Sequence, residues 1–192
     1  MRKHQMTLIS DFYKQAHAEQ YPKGMNFIAS YFTPRMSRLS EENSLIVFGI
    51  QGFIKDYLIE RFNDTFFNVP LETILKEYER VIKHTLSHSY CEPNKIAELH
   101  LLGYLPIEIK ALKEGTKCPI KVPCIEITST KPGFEWVVQF IESIMSCQLW
   151  YPMTIANQAY KYRQIVNEYF EKTADDTAPR YAAISEFGFR GA

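Results

Sequence analysis

GFEWVVQFIESIMSCQLWYP, residues 133–152, is the stretch around which the chain is built. Its apolar side chains recur at Phe134, Val137, Val138, Ile141, Ile144 and Met145, the spacing of one helical face. Pro132 suits a first helical turn, where a missing N–H costs nothing. Pro152 is expected to close the helix, because it biases Tyr151 away from helical angles. Glu135 and Glu142 are the only ionised groups of the stretch, and they read as capping or solvated groups rather than an acid–base pair. A helix this apolar is expected to be buried over most of its surface, with the flanking segments packed on it.

The composition around it supports one substantial core: 192 residues, 46% hydrophobic and 14% aromatic. The 22 basic side chains balance the 22 acidic ones, so net charge gives no reason to expect nucleic acid or an anionic membrane as partner. The cysteines, Cys91, Cys118, Cys124 and Cys147, form no CxxC pair; Cys118 and Cys124 can flank a local turn, and buried thiols in a reducing compartment are the plainer reading. No N-terminal apolar stretch resembles a signal peptide, and no run approaches the roughly 18 apolar residues of a membrane span. A soluble cytoplasmic protein is the expectation.

Upstream of the central stretch, Asp11 is placed to cap a short helix carrying Tyr13 and Lys14. Tyr21-Pro22-Lys23-Gly24 marks a turn, and residues 25–33 read as a strand ended by Pro34. This opening is locally basic, through Arg2, Lys3, Lys14, Lys23, Arg35 and Arg38, a pattern that suits a solvated face as well as a binding one. A short apolar run at 44–48 precedes helical patterns over 49–61, 71–86 and 93–102, with Gly103 as a terminator. The period then changes to alternation over 105–113, and a second strand follows at 122–130. Helices before and after paired β segments indicate an α+β unit. After the central helix, Thr154 is the expected N-cap of a helix over 155–172, and a polar linker over 173–179 is the best domain boundary. A new strand can begin at 181–185.

General motifs say little about chemistry. His84 and His88 sit four apart, as paired metal ligands do, but without an HExxH pattern or a clear third ligand. There is no Gly-rich phosphate loop with its Lys and no G-x-S-x-G turn.

Several ordered segments carry more. Asp11-Phe-Tyr-Lys14 followed by His17 and Tyr21-Pro22, then Ser30-Tyr-Phe with Arg35, then Leu105 to Ala111, Trp150-Tyr-Pro152 with Thr154, and Glu186-Phe-Gly-Phe-Arg-Gly191 together resemble the opening of the nicotinamide phosphoribosyltransferase family. The resemblance runs through nearly the whole chain in order. Phe12 departs from it, standing where the opening motif commonly has a small polar residue.

The resemblance implies an α+β N-terminal domain of a type II phosphoribosyltransferase over 1–130. It implies a buried helix pair over 131–178, and at 179–192 the first strand of an irregular α/β barrel that is otherwise absent. It implies transfer of 5-phosphoribosyl from phosphoribosyl pyrophosphate to nicotinamide, in NAD salvage, by a homodimer with shared active sites. Phe187 would stack on one face of the nicotinamide ring and Tyr13 of the second subunit on the other. Arg190 would stand beside the ring and its carboxamide, Asp11 near the same pocket, and Arg35 would reach phosphates across the dimer. Read from the residues alone, Phe187 is equally a core aromatic, Tyr13 a helix-packing residue and Arg35 a solvated strand-end charge. Magnesium, ATP and the phosphorylated histidine would belong to the missing barrel, and neither His17, His84, His88 nor His100 matches that histidine. No catalytic or metal-binding residue is therefore assigned in this chain. Two other readings stay open: a nicotinate phosphoribosyltransferase, and a non-catalytic dimerisation or structural module. Gly191 after Arg190 favours nicotinamide over nicotinate, since a second cation there would suit a carboxylate.

Overall fold

A computed structural model describes residues 4–38, 41–86 and 91–175. Phe187, Arg190, His88 and the strand expected at 181–185 lie outside them. The two β segments expected around residues 105–130 do pair. β3 (Ile107–Ala111) and β5 (Ile125–Ser129) run antiparallel, Ile109 opposite Ile127. β1 (Ala29–Phe32) adds to the other edge of β5, Phe32 opposite Ile125, giving a three-stranded sheet ordered β1-β5-β3. β5 is the central strand, and its Ile125 and Ile127 are buried, as a strand covered by neighbours requires. A second, two-stranded sheet pairs β2 (Ser44–Ile46) with β4 (Lys117–Pro119). Sequence patterning does not find β4: three residues, the last of them a proline, are too few to show alternation.

The helices with local start and stop signals lie where the sequence puts them. α2 (Leu71–Thr85) buries Ile74, Tyr78 and Ile82, four apart in turn, with Glu72 in its first turn and Lys83 and His84 in its last. α3 (Pro93–Leu102) has proline at its start and ends at Gly103, whose φ of 80° is left-handed. The helix expected over 49–61 begins as α1 (Ile50–Phe53) but runs on, in the wider π winding, to Phe67. Asn68 N–H closes it on the Asn63 carbonyl at 3.0 Å, a bond one residue longer than the α-helical one. Its Phe62, Phe66 and Phe67 rings cluster with centroids 5.0–6.2 Å apart.

The central stretch differs from its reading. It forms two helices, α4 (Trp136–Phe140) and α5 (Glu142–Thr173), bent at Ile141. Pro152 does not close a helix; α5 passes through it for about six further turns, and Thr154 is interior, its hydroxyl donating back to the Trp150 carbonyl at 2.7 Å rather than capping. A helix-interior proline costs about 3 kcal/mol. It persists because Leu149 and Met153 beside it are fully buried, each contributing about 1.5–3 kcal/mol. Pro152 also packs on Gly49: a Cβ on that glycine would lie 3.3 Å from the proline Cβ. Glu135 stands at the N-cap position of α4 but makes no side-chain cap bond; it is buried and accepts from Gly133 N–H, in the preceding turn, with both carboxylate oxygens at 3.0 and 3.1 Å.

Burial of the stretch is uneven. Val137, Val138, Phe140, Ile141, Met145 and Leu149 enter one core with Val47, Phe53, Phe66, Tyr78, Leu99 and Ile127. Met153 is the last buried residue of α5; Trp150 is already exposed, and beyond Met153 so are Tyr162, Ile165 and Tyr169. The apolar face left open on α5 therefore begins at Trp150, whereas Val137 and Ile141 are covered by this chain itself.

Candidate functional site

Residues 12–20 form a 3-10 helix, Phe12–Gln20, with Asp11 at its N-cap position. The Asp11 side chain makes no capping bond. Its carboxylate turns instead to α5, where Oδ2 accepts from Ser143 Oγ at 2.6 Å, while Asp11 N–H donates to the same Oγ at 3.1 Å. Lys14 Nζ donates to Ser143 Oγ at 3.0 Å and to a carboxylate oxygen of Glu142, and lies 3.5 Å from Asp11 Oδ2. Ser143 thus donates once and accepts twice, using the whole capacity of a hydroxyl. Ser10 Oγ donates to the Phe140 carbonyl at 2.9 Å, fastening the chain just before the helix.

The charges of this cluster hold one another ionised. The Ser143 hydroxyl, and then the Lys14 ammonium against slight burial, keep the Asp11 carboxyl below its ordinary range. Partial burial raises the Glu142 carboxyl, but Lys14 and the Ser146 hydroxyl at 2.8 Å outweigh it and the net direction is down. Lys14 itself is buried, so the solvated-face alternative for the basic opening does not extend to it; Lys23, Arg35 and Arg38 are exposed. The cause is position: Asp11 and Lys14 are three apart, so on a 3-10 helix they eclipse and both face α5.

Tyr13 borders this cluster and is largely in solvent. It is 60% exposed, its ring 5.1 Å from that of His17, on a helix fastened to α5 from behind. Arg35 is exposed on the segment leaving β1, which Lys121 N–H ties down through the Pro34 carbonyl at 2.7 Å. α4 packs against both the Phe12–Gln20 helix and β1, so one short helix supports the segments carrying Tyr13 and Arg35. The structure brings Asp11 and Tyr13 onto one element. Among the described residues, Arg35 joins neither by a hydrogen bond or an ion pair. Phe187 and Arg190 lie outside those residues. Lys14, Glu142 and Ser143 are the site-supporting residues that sequence reading misses; the three-residue spacing of Asp11 and Lys14 is their one local signal.

Among the described residues no three His, Cys, Asp or Glu side chains gather into a metal site. His84 is on α2, and the Nε2 of His100 is 2.8 Å from the Val69 carbonyl, a structural bond. No helix among the described residues is long and apolar enough to cross a membrane.

Residues 5–109 match the family model described as nicotinamide phosphoribosyltransferase, N-terminal domain. The nicotinamide phosphoribosyltransferase of Acinetobacter baylyi is 36% identical over 186 residues, 94% of this chain and 37% of that protein. That of Xanthomonas campestris pv. campestris is 29% identical over 189 residues, 97% of this chain and again 37% of the relative. A crystal structure of human nicotinic acid phosphoribosyltransferase is similar in fold, with a TM-score of 0.57 at 17% identity over 82% of this chain and 28% of that one. The likeness agrees with an α+β N-terminal domain of the type II phosphoribosyltransferase kind. The chain spans 37% of the length of both curated relatives. With more than half of its residues inside the family model, in the order its motifs predict, the chain belongs to the nicotinamide phosphoribosyltransferase family as an N-terminal part.

Proposed function

We propose that the longer protein containing this chain transfers the 5-phosphoribosyl group of phosphoribosyl pyrophosphate to nicotinamide, forming nicotinamide mononucleotide and pyrophosphate in NAD salvage. The observation that carries this is the 36% identity, running through 94% of the chain, to a protein named for that activity. In the reaction the pyridine nitrogen forms a bond to the ribose anomeric carbon as the bond to the pyrophosphate oxygen breaks. Catalysis then depends on holding the ring in line and stabilising the charge that develops on both sides. Tyr13 covers one face of the ring and Phe187 the other, Arg190 meets the carboxamide, Asp11 stands by that pocket, and Arg35 reaches the phosphates.

A homodimer follows from the same reading. Tyr13 and Arg35 are exposed on secured segments, suited to act on a neighbouring subunit's site. The free thiols Cys91, Cys118, Cys124 and Cys147 suit a reducing cytoplasm. Magnesium and ATP, which the resemblance implies, would supply neutralisation of the pyrophosphate and phosphorylation of a histidine; among the described residues no cluster of His, Cys, Asp or Glu could hold the metal.

The test is product formation by the full-length protein from nicotinamide and phosphoribosyl pyrophosphate, with nicotinate offered in competition. Nicotinamide mononucleotide as the main product is expected. No product overturns the reaction, and preferential use of nicotinate overturns the choice of base that Gly191 supports.

A further inference from the structure

Lys14 makes an unusual pair of contacts. Its side chain is only 4% exposed, although an ammonium buried without partners carries a penalty of several kcal/mol. Its partners are the Glu142 carboxylate and Ser143 Oγ at 3.0 Å, both in the first turn of α5, with Asp11 at 3.5 Å. The same ammonium lies 5.9 Å from the centroid of the exposed Tyr13 ring, within the range where a cation is drawn to an aromatic face. One charged group thus touches the rigid long helix on one side and the projecting aromatic on the other.

We propose that Lys14 is a positioning residue for the base-binding site: anchored by Glu142 and Ser143, it sets the orientation in which Tyr13 is presented. The inference rests on the reading of Tyr13 as the residue that covers nicotinamide. A tyrosine with 60% of its surface in solvent has few packing neighbours to hold its ring. The Lys14 cation, the His17 ring at 5.1 Å and the Asp11 carboxylate, which has a side-chain hydrogen-bonding interaction with Tyr13, bear on its orientation, and Lys14 reaches both the ring and, at 3.5 Å, that carboxylate. In this proposal Lys14, buried against α5, does not itself contact the base. Its effect passes through Tyr13, and so falls on the affinity for the base rather than on the displacement step.

The experiment is steady-state kinetics of the full-length protein carrying Lys14→Met, Lys14→Arg, Glu142→Gln or Tyr13→Ala. Tyr13→Ala tests the underlying reading: it is expected to raise the KM for nicotinamide about tenfold. Lys14→Met is expected to raise the same constant about five- to tenfold, with kcat and the KM for phosphoribosyl pyrophosphate within about twofold. Lys14→Arg, which keeps the cation, is expected to recover most of that loss. Glu142→Gln, which weakens the anchor and leaves Lys14 in place, is expected to give about a threefold rise, and decides the matter if Lys14→Met does not fold. An unchanged nicotinamide KM in Tyr13→Ala overturns the reading and the inference with it. A raised KM in Tyr13→Ala beside an unchanged one in Lys14→Met, or in Glu142→Gln where that variant stands in, overturns the inference alone. Equal losses in kcat and both KM values assign Lys14 a purely structural part and also overturn it.

Discussion

Glu42 shows what a single side chain does for the junction between β2 and α5. One of its carboxylate oxygens accepts from Ser44 N–H at 3.3 Å and Ser44 Oγ at 2.8 Å; the other meets Lys161 Nζ at 2.8 Å. Lys161 and then Ser44 lower the carboxyl from 4.5 to about 2. A depressed carboxylate stabilises the fold fully above its unfolded value, near 4.5, and loses that contribution as pH falls toward 2. Glu42→Gln is therefore expected to destabilise by about 1–2 kcal/mol at pH 7, the partial exposure of Lys161 limiting the effect, and by much less at pH 3. Urea unfolding at the two pH values checks this; an equal loss at both would contradict it. At this scale the sequence is a partial guide. Asp11, Tyr13 and Arg35 stand out because they sit in short ordered motifs. Lys14 lies in the same motif as Asp11 and Tyr13, but its bond to Ser143 spans 129 positions and no local pattern encodes it.

Elements were legible where their signals are local. α2 and α3 carry their own amphipathic faces and end signals, and β3 and β5 carry their own alternation. The reading of α5 fails at Pro152 because propensity is a local average, while the outcome was set by packing of Leu149 and Met153 and by Gly49 from a distant loop. That contact makes Gly49 a sharp test. It has φ 87°, a left-handed conformation, and its missing Cβ leaves the space that Pro152 approaches. Gly49→Ala adds a backbone penalty of about 1–2 kcal/mol and a tight contact to a rigid ring. A loss of at least about 2 kcal/mol in chemical denaturation is expected. A variant within about 0.5 kcal/mol of the parent would show that the contact is slack.

For the molecule as a whole, the decisive feature is the outer half of α5. Trp150 is 57% exposed, and Tyr162, Ile165 and Tyr169 are exposed further along the helix, the last three sharing one side of it, a concentration of exposed apolar side chains that favours association. A groove of about 560 Å³ lined by Phe48, Ile155, Ala159 and Tyr160 lies alongside. The 22 positive and 22 negative side chains cancel, so no long-range repulsion keeps copies apart. Residues 1–192 prepared alone are therefore expected to self-associate at micromolar concentration and to form no nicotinamide mononucleotide, since the histidine and magnesium chemistry that the family resemblance implies would belong to the rest of the longer protein. Replacing Trp150, Tyr162 and Tyr169 together by glutamate places charge on the exposed face without touching the buried Leu149 or Met153. It is expected to shift sedimentation toward the monomer while leaving far-ultraviolet circular dichroism unchanged. Association that survives the triple substitution would move its origin away from α5, and a monodisperse, catalytically active monomer of the unsubstituted chain would overturn both the association and the need for the rest of the protein.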